Sequence, residues 1–151
     1  MVKEYVERYY VPGSRREAVM TSDDHAAAKY LAAWRERIST AWQGLYLSAT
    51  PAEDGQVRSG DEIEIDAVLN PRGLSMDDVR VEVVYSRAED QLQSGLRTVA
   101  MEHVNGYPDG GYHFKARFVP EMSGHLVYGV RAYAFNELLA SPFDAQSIRW
   151  A

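Results

Sequence analysis

The sequence predicts a mainly β protein, an antiparallel sandwich preceded by two α-helices, and three observations carry that prediction. After Gly44 apolar and polar residues alternate in several segments. In the same region Gly, Pro, Asn and Asp punctuate the chain roughly every eight to twelve residues. Before Gly44 the apolar spacing is instead three and four, the period of a helix face.

The first helix is expected over residues 2–10, where Val2, Tyr5, Val6 and Tyr9 share one face and Glu4 precedes Arg8 by one turn. Pro12 cannot continue the hydrogen-bond ladder and Gly13 tolerates a left-handed cap, so the helix ends there. A second helix is expected over about 23–43. Ser22 or Asp23 can cap its free amides, and the acidic pair Asp23–Asp24 complements the positive helix terminus. Its apolar line is Ala27, Leu31, Trp34, Ile38, Ala41 and Trp42, which leaves Lys29, Glu36, Arg37 and Gln43 to water.

Three strands are clear. In 62–69, Ile63, Ile65, Ala67 and Leu69 face inward against Glu62, Glu64 and Asp66. In 78–85, Val79, Val81, Val83 and Tyr85 oppose Arg80 and Glu82, and in 111–118, Tyr112, Phe114, Ala116 and Phe118 oppose His113, Lys115 and Arg117. Weaker alternation at 45–50, 96–103, 125–134 and 146–150 brings the expected count to seven. In 125–134 the apolar face holds Leu126, Tyr128, Val130 and Ala132, and the other face holds Arg131 and Tyr133. The pattern S-G-x-x-x-Y-x-V-R-A resembles the penultimate strand of immunoglobulin- and fibronectin-like sandwiches, in which a tyrosine buries its ring at the sheet corner. The expected fold is therefore a seven-stranded immunoglobulin/fibronectin-like sandwich over 44–151 behind a helical arm over 1–43.

At 151 residues the chain has the length of one domain, with 46% hydrophobic residues to build a core. No apolar run approaches the roughly 20 residues of a membrane span. A net charge of −6, without a basic cluster beyond Arg15–Arg16, argues against nucleic acid and anionic lipid as partners. The absence of cysteine rules out a disulfide framework and a thiolate metal site. The N-terminal stretch is charged from Lys3 and lacks the apolar core of a signal peptide, so a cytoplasmic location is expected.

Chemistry-bearing patterns are sparse. The sequence holds no Gly-rich phosphate loop, no H-E-x-x-H and no G-x-S-x-G elbow. Asp23, Asp24 and His25 read as a helix start rather than as metal ligands. His103 and His113 flank the turn around 104–112 and could meet across a hairpin, giving two ligands where zinc needs three or four. Glu62 and Glu64 sit about 7 Å apart by strand geometry, a spacing found in glycosidase pairs. Nothing apolar beside them would raise one pKa for acid duty, and a solvated strand face is the plainer reading. No catalytic, cofactor-binding or metal residue is therefore assigned.

Four stretches carry a resemblance when taken in order: MVKEYVERYYVP, AAAKYLAAWRERISTAW, LSMDDVRVEVVYSRAED, and SGHLVYGVRAY running to SPFDAQSIRWA. Together they resemble the C-terminal end of a bacterial-type α-glucan phosphorylase. That family phosphorolyses α-1,4-glucan to glucose 1-phosphate with pyridoxal phosphate on a lysine. The resemblance implies a non-catalytic accessory domain, with catalysis and cofactor in a portion lying before it, and with Met1 matching an internal methionine. One departure is that Ala134, Phe135, Asn136 and Glu137 stand where a Pro-x-His-Pro-like element is expected. The role of that histidine does not carry over.

The partner implied is the catalytic portion of the same polypeptide, with Val2, Tyr5, Val6 and Tyr9 as the candidate docking face. A carbohydrate-binding module is the alternative, motivated by ten tyrosines and three tryptophans, and an assembly domain is a third reading. Core-facing registers claim Tyr85, Tyr112, Tyr128, Trp34 and Trp42. Tyr46, Tyr107, Tyr133 and Trp150 are left for the surface, and Tyr107 and Tyr133 are the candidate glucan contacts.

Overall fold

The computed structural model describes residues 20–21, 23–50, 60–89, 95–122 and 124–151. The expected first helix and its stripe Val2, Tyr5, Val6 and Tyr9 lie outside the described residues. The second helix forms as expected but begins later. A 3-10 turn spans Asp23–His25, helix α1 spans Ala26–Ala41, and a second 3-10 turn spans Trp42–Gly44. The expected acidic side-chain cap is not made, because His25 occupies the cap position in a left-handed conformation without a side-chain cap bond. Asp24, also left-handed, reaches forward instead to Lys29 at 2.8 Å.

Among the described residues eight strands follow: β1 (Tyr46–Ala49), β2 (Ile63–Asn70), β3 (Val79–Arg87), β4 (Arg97–Ala100), β5 (Glu102–Gly106), β6 (Tyr112–Phe118), β7 (Leu126–Ala134) and β8 (Ile148–Trp150). They make two antiparallel four-stranded sheets, ordered β1-β2-β6-β5 and β4-β3-β7-β8. The eighth strand arises because the single strand expected at 96–103 divides. Residues 97–100 pair with β3, Met101 still donates its amide to Val81, and Glu102 then pairs with Lys115 of β6 in the other sheet. Met101 is buried at this crossing and anchors it. The chain changes sheet without a glycine or proline to mark the place.

Alternation decides what the sheets bury. Leu47, Ile65, Ala67, Leu69, Phe114 and Ala116 from the first sheet join Val79, Val81, Val83, Val130, Ala132 and Ala134 from the second. Leu31, Trp34, Ile38 and Trp42 of the helical segment enter the same cluster, so helix and sandwich share one core. Each large side chain so covered returns about 1.5–3 kcal/mol. A polar clasp adds direction: Trp34 Nε1 and Arg37 Nη1 both donate to Asp78, which ends the 3-10 turn just before β3.

The expected burial of Tyr128 is not seen. Its register is as expected, but the residue remains 39% exposed. β8 pairs only as far as Arg131, so among the described residues the first half of β7 has no strand on its far side. At that level the core is filled by Tyr85, directly across from Tyr128, whose ring lies 4.9 Å from that of Phe118. Among the described residues no helix is long and apolar enough to cross a membrane.

Candidate functional site

The outer faces of the two sheets differ in chemistry, and that difference locates the candidate site. On the first sheet, β2 and β6 bring Glu64 opposite Arg117 and Asp66 opposite Lys115. Lys115 Nζ donates to Glu64 at 2.6 Å, Arg117 Nε also donates to Glu64, and His113 Nε2 lies 2.6 Å from Asp66. Hydrogen bonds from Lys115 and then Arg117 hold the Glu64 carboxyl below its ordinary value, and the same bond raises Lys115. Glu64 is thus held ionised, the opposite of an acid catalyst, and Lys115 is held as a cation. This face satisfies its own charges.

His103 and His113 do not meet. His103 pairs with Phe114 and packs on the rings of Tyr112 and Phe114, on the inner side of the sheet edge, while His113 turns outward to Asp66. A bulge between His103 and Asn105 sets this register. Among the described residues no group of three or more His, Cys, Asp and Glu is arranged to hold a metal ion.

The second sheet turns aromatic and guanidinium groups outward. Along β7 the outward positions are Val127, Gly129, Arg131 and Tyr133, and Phe135 continues the row. Arg131 faces Glu82 of β3 and donates to it at 2.7 Å, with the guanidinium over Phe143 at 4.8 Å and over Trp150 at 5.4 Å. Gly129 is what lets the indole approach, since a Cβ there would come within 3.1 Å of Trp150 Cζ3. Tyr133 lies 6.0 Å from Phe143, ring to ring. Burial, and next the Glu82 carboxylate, push the Tyr133 phenol above its ordinary value. Its hydroxyl therefore stays a donor through neutral pH.

Phe143 is placed by local sequence. In SPFD, Ser141 Oγ accepts from the Phe143 amide and the Asp144 carboxylate accepts from the Ser141 amide, a capping box around the 3-10 turn Pro142–Ala145. At the other end of the row, Arg80 pairs across from Tyr133 and lies 4.2 Å over the Phe135 ring. There a cleft of about 580 Å³ opens between α1 and the Asn136 turn, lined by Tyr30, Asp77, Arg80, Phe135, Asn136 and Glu137 among others. Asn136 Oδ1 accepts from the Leu138 amide and so holds that wall.

The two sequence candidates fall on different sheets. Tyr107 stands exposed on the β5–β6 turn, its ring 6.3 Å from His113, whereas Tyr133 is half-buried in the aromatic row and is not among the most exposed aromatics. Trp150, at 52%, is the more open platform. Tyr30, Phe135 and Phe143 were not singled out by sequence reasoning. The capping pattern SPFD was the one local signal that a fixed turn would present a ring there.

Residues 42–151 match the family model described as the glycogen phosphorylase C-terminal domain. The chain is similar to a maltodextrin phosphorylase of Thermococcus litoralis, 25% identical over 99% of the chain and 18% of the relative. It is likewise similar to a glycogen phosphorylase of Mycobacterium tuberculosis, 31% identical over 93% of the chain and 17% of the relative. The chain thus spans less than a fifth of these relatives. With 110 of its 151 residues inside the family model (42 to 151 inclusive), the chain belongs to the glycogen phosphorylase C-terminal domain family.

Proposed function

We propose that this chain is the non-catalytic C-terminal accessory domain of an α-glucan phosphorylase acting in the cytoplasm. The portion lying before it in the relatives would carry pyridoxal phosphate and phosphorolyse α-1,4-glucan to glucose 1-phosphate. The observation that carries this reading is positional: nearly the whole chain aligns with 17–18% of each relative, and residues 42–151 match a C-terminal-domain model. The fixed state of Lys115 adds support, since a firmly protonated lysine paired to Glu64 is a poor Schiff-base nucleophile.

The same reading makes the remainder of the polypeptide the principal partner, with Val2, Tyr5, Val6 and Tyr9 proposed as its docking face. It also makes the sandwich immunoglobulin-like. What supports that is the strand order, which corresponds to the A-B-E-D and C′-C-F-G arrangement of such domains. Incubating the chain with pyridoxal phosphate, reducing with borohydride and weighing the product tests the non-catalytic assignment. The expected mass is unchanged, and a stoichiometric lysine adduct would count against the proposal.

A carbohydrate-binding module is favoured as the second reading by the outward aromatic row of the second sheet, to which Tyr133 belongs.

A further inference from the structure

We infer that the strip from the cleft beside α1 to Trp150 is a binding site for an α-linked glucan chain, with Tyr30 and Phe135 in the cleft and Tyr133, Phe143 and Trp150 continuing as a platform. The choice of α-linked glucose rests on the family reading above; the site itself rests on geometry.

Continuity is the first argument. Tyr30 and Phe135 line the same cleft. Arg80 spans from the Phe135 ring to the position across from Tyr133. Tyr133 meets Phe143, and Arg131 joins Phe143 to Trp150. From Gly129, on which the Trp150 indole rests, to Phe135 three two-residue steps run about 20 Å along the strand. Such a length suits an extended polymer better than a single small molecule.

Chemistry is the second argument. A glucose ring offers C–H faces that pack on aromatic rings and hydroxyl groups that pair with planar polar side chains. The strip supplies both. Asp77, Asn136, Glu137 and Arg80 border the cleft, whose volume of about 580 Å³ falls within the usual range for ligand sites. Asp78 also lines it but is committed to Trp34 and Arg37.

A protein partner fits this strip less well. Interface cores are depleted in Asp and Glu, whereas Glu82 stands at the centre of the strip and Asp77 and Glu137 border its cleft. Nucleic acid is disfavoured by the net charge of −6 and by the carboxylates at the cleft rim.

The test titrates the 151-residue chain with maltoheptaose, following tryptophan emission and amide chemical shifts, with cellohexaose as the β-linked control. Saturable binding of maltoheptaose alone is expected. Tyr30→Ala and Trp150→Ala should each weaken it about tenfold, and Tyr107→Ala should leave it unchanged. Tyr133→Phe keeps the ring and removes only the hydroxyl, so it reports on the site without risk to the fold, and a loss of about threefold is expected. The inference is overturned by no saturable binding in the parent, by equal binding of cellohexaose, or by loss confined to Tyr107→Ala. A sugar-independent dimer abolished by Trp150→Ala would also overturn it, in favour of protein docking. Binding is read without turnover, so its failure leaves the accessory-domain reading standing. A trapped cofactor would do the reverse.

Discussion

Trp34 Nε1 donates to Asp78 Oδ1 at 2.7 Å across 44 residues of sequence, and the second carboxylate oxygen takes Arg37 Nη1 at 2.9 Å. The indole is buried and so is the acid, so this contact ties α1 to the turn that leads into β3. Replacing Asp78 by Ala orphans a buried N–H. The expected cost is about 1–3 kcal/mol in urea denaturation. Asp78→Asn can still accept from Trp34 and should lose less. Equal losses in the two variants would show that the Arg37 pair, not the indole bond, holds the helix.

Gly129 and Trp150 form a second testable pair. A methyl at 129 would sit 3.1 Å from the indole, but Trp150 lies at the surface and can lift away. Gly129→Ala is therefore expected to keep the fold while shifting tryptophan emission to the red. The melting midpoint should move by only a few degrees. Unchanged emission would mean that the indole does not rest on Gly129.

The charged face predicts a pH dependence. Glu64 titrates below its ordinary value of 4.5 in the folded chain, first through Lys115 and then through Arg117. Its contribution to stability is complete above that ordinary value and disappears as pH falls through the lowered one. The parent should melt above Glu64→Gln at neutral pH, and the gap should close in acid. A gap that persists undiminished to pH ~2 would contradict the pairing.

Tyr5 tests the proposed docking stripe. If the stripe Val2, Tyr5, Val6 and Tyr9 covers part of this same chain when the rest of the polypeptide is absent, Tyr5→Asp lowers the thermal midpoint without altering the mass in solution. A change from dimer to monomer by light scattering, with the midpoint unmoved, would assign the stripe to contacts between copies.

Much of the fold was legible because burial follows a period. Ile65, Ala67 and Leu69, or Val79, Val81 and Val83, alternate so regularly that strand, face and core follow together. Leu31, Trp34 and Ile38 do the same at helical spacing. The division at Met101 was not legible, because both strands continue one alternating run and only the identity of the pairing partner changes. Tyr128 shows the complementary limit. Its face follows from sequence, but its exposure depends on how far β8 extends. The aromatic strip was legible only in part. Tyr133 and Trp150 stand out as surface candidates, but Tyr30, Phe135 and Phe143 come from a helix, a strand end and a capped turn that only the fold brings together.

The measurement that bears most directly on the account is the release of glucose 1-phosphate from glycogen by the 151-residue chain, supplied with inorganic phosphate and pyridoxal phosphate. An accessory domain without a catalytic centre gives no product above the buffer blank at any enzyme concentration. Product that rises in proportion to the chain, and that is lost when phosphate is withheld, would place catalysis within these residues and contradict the account.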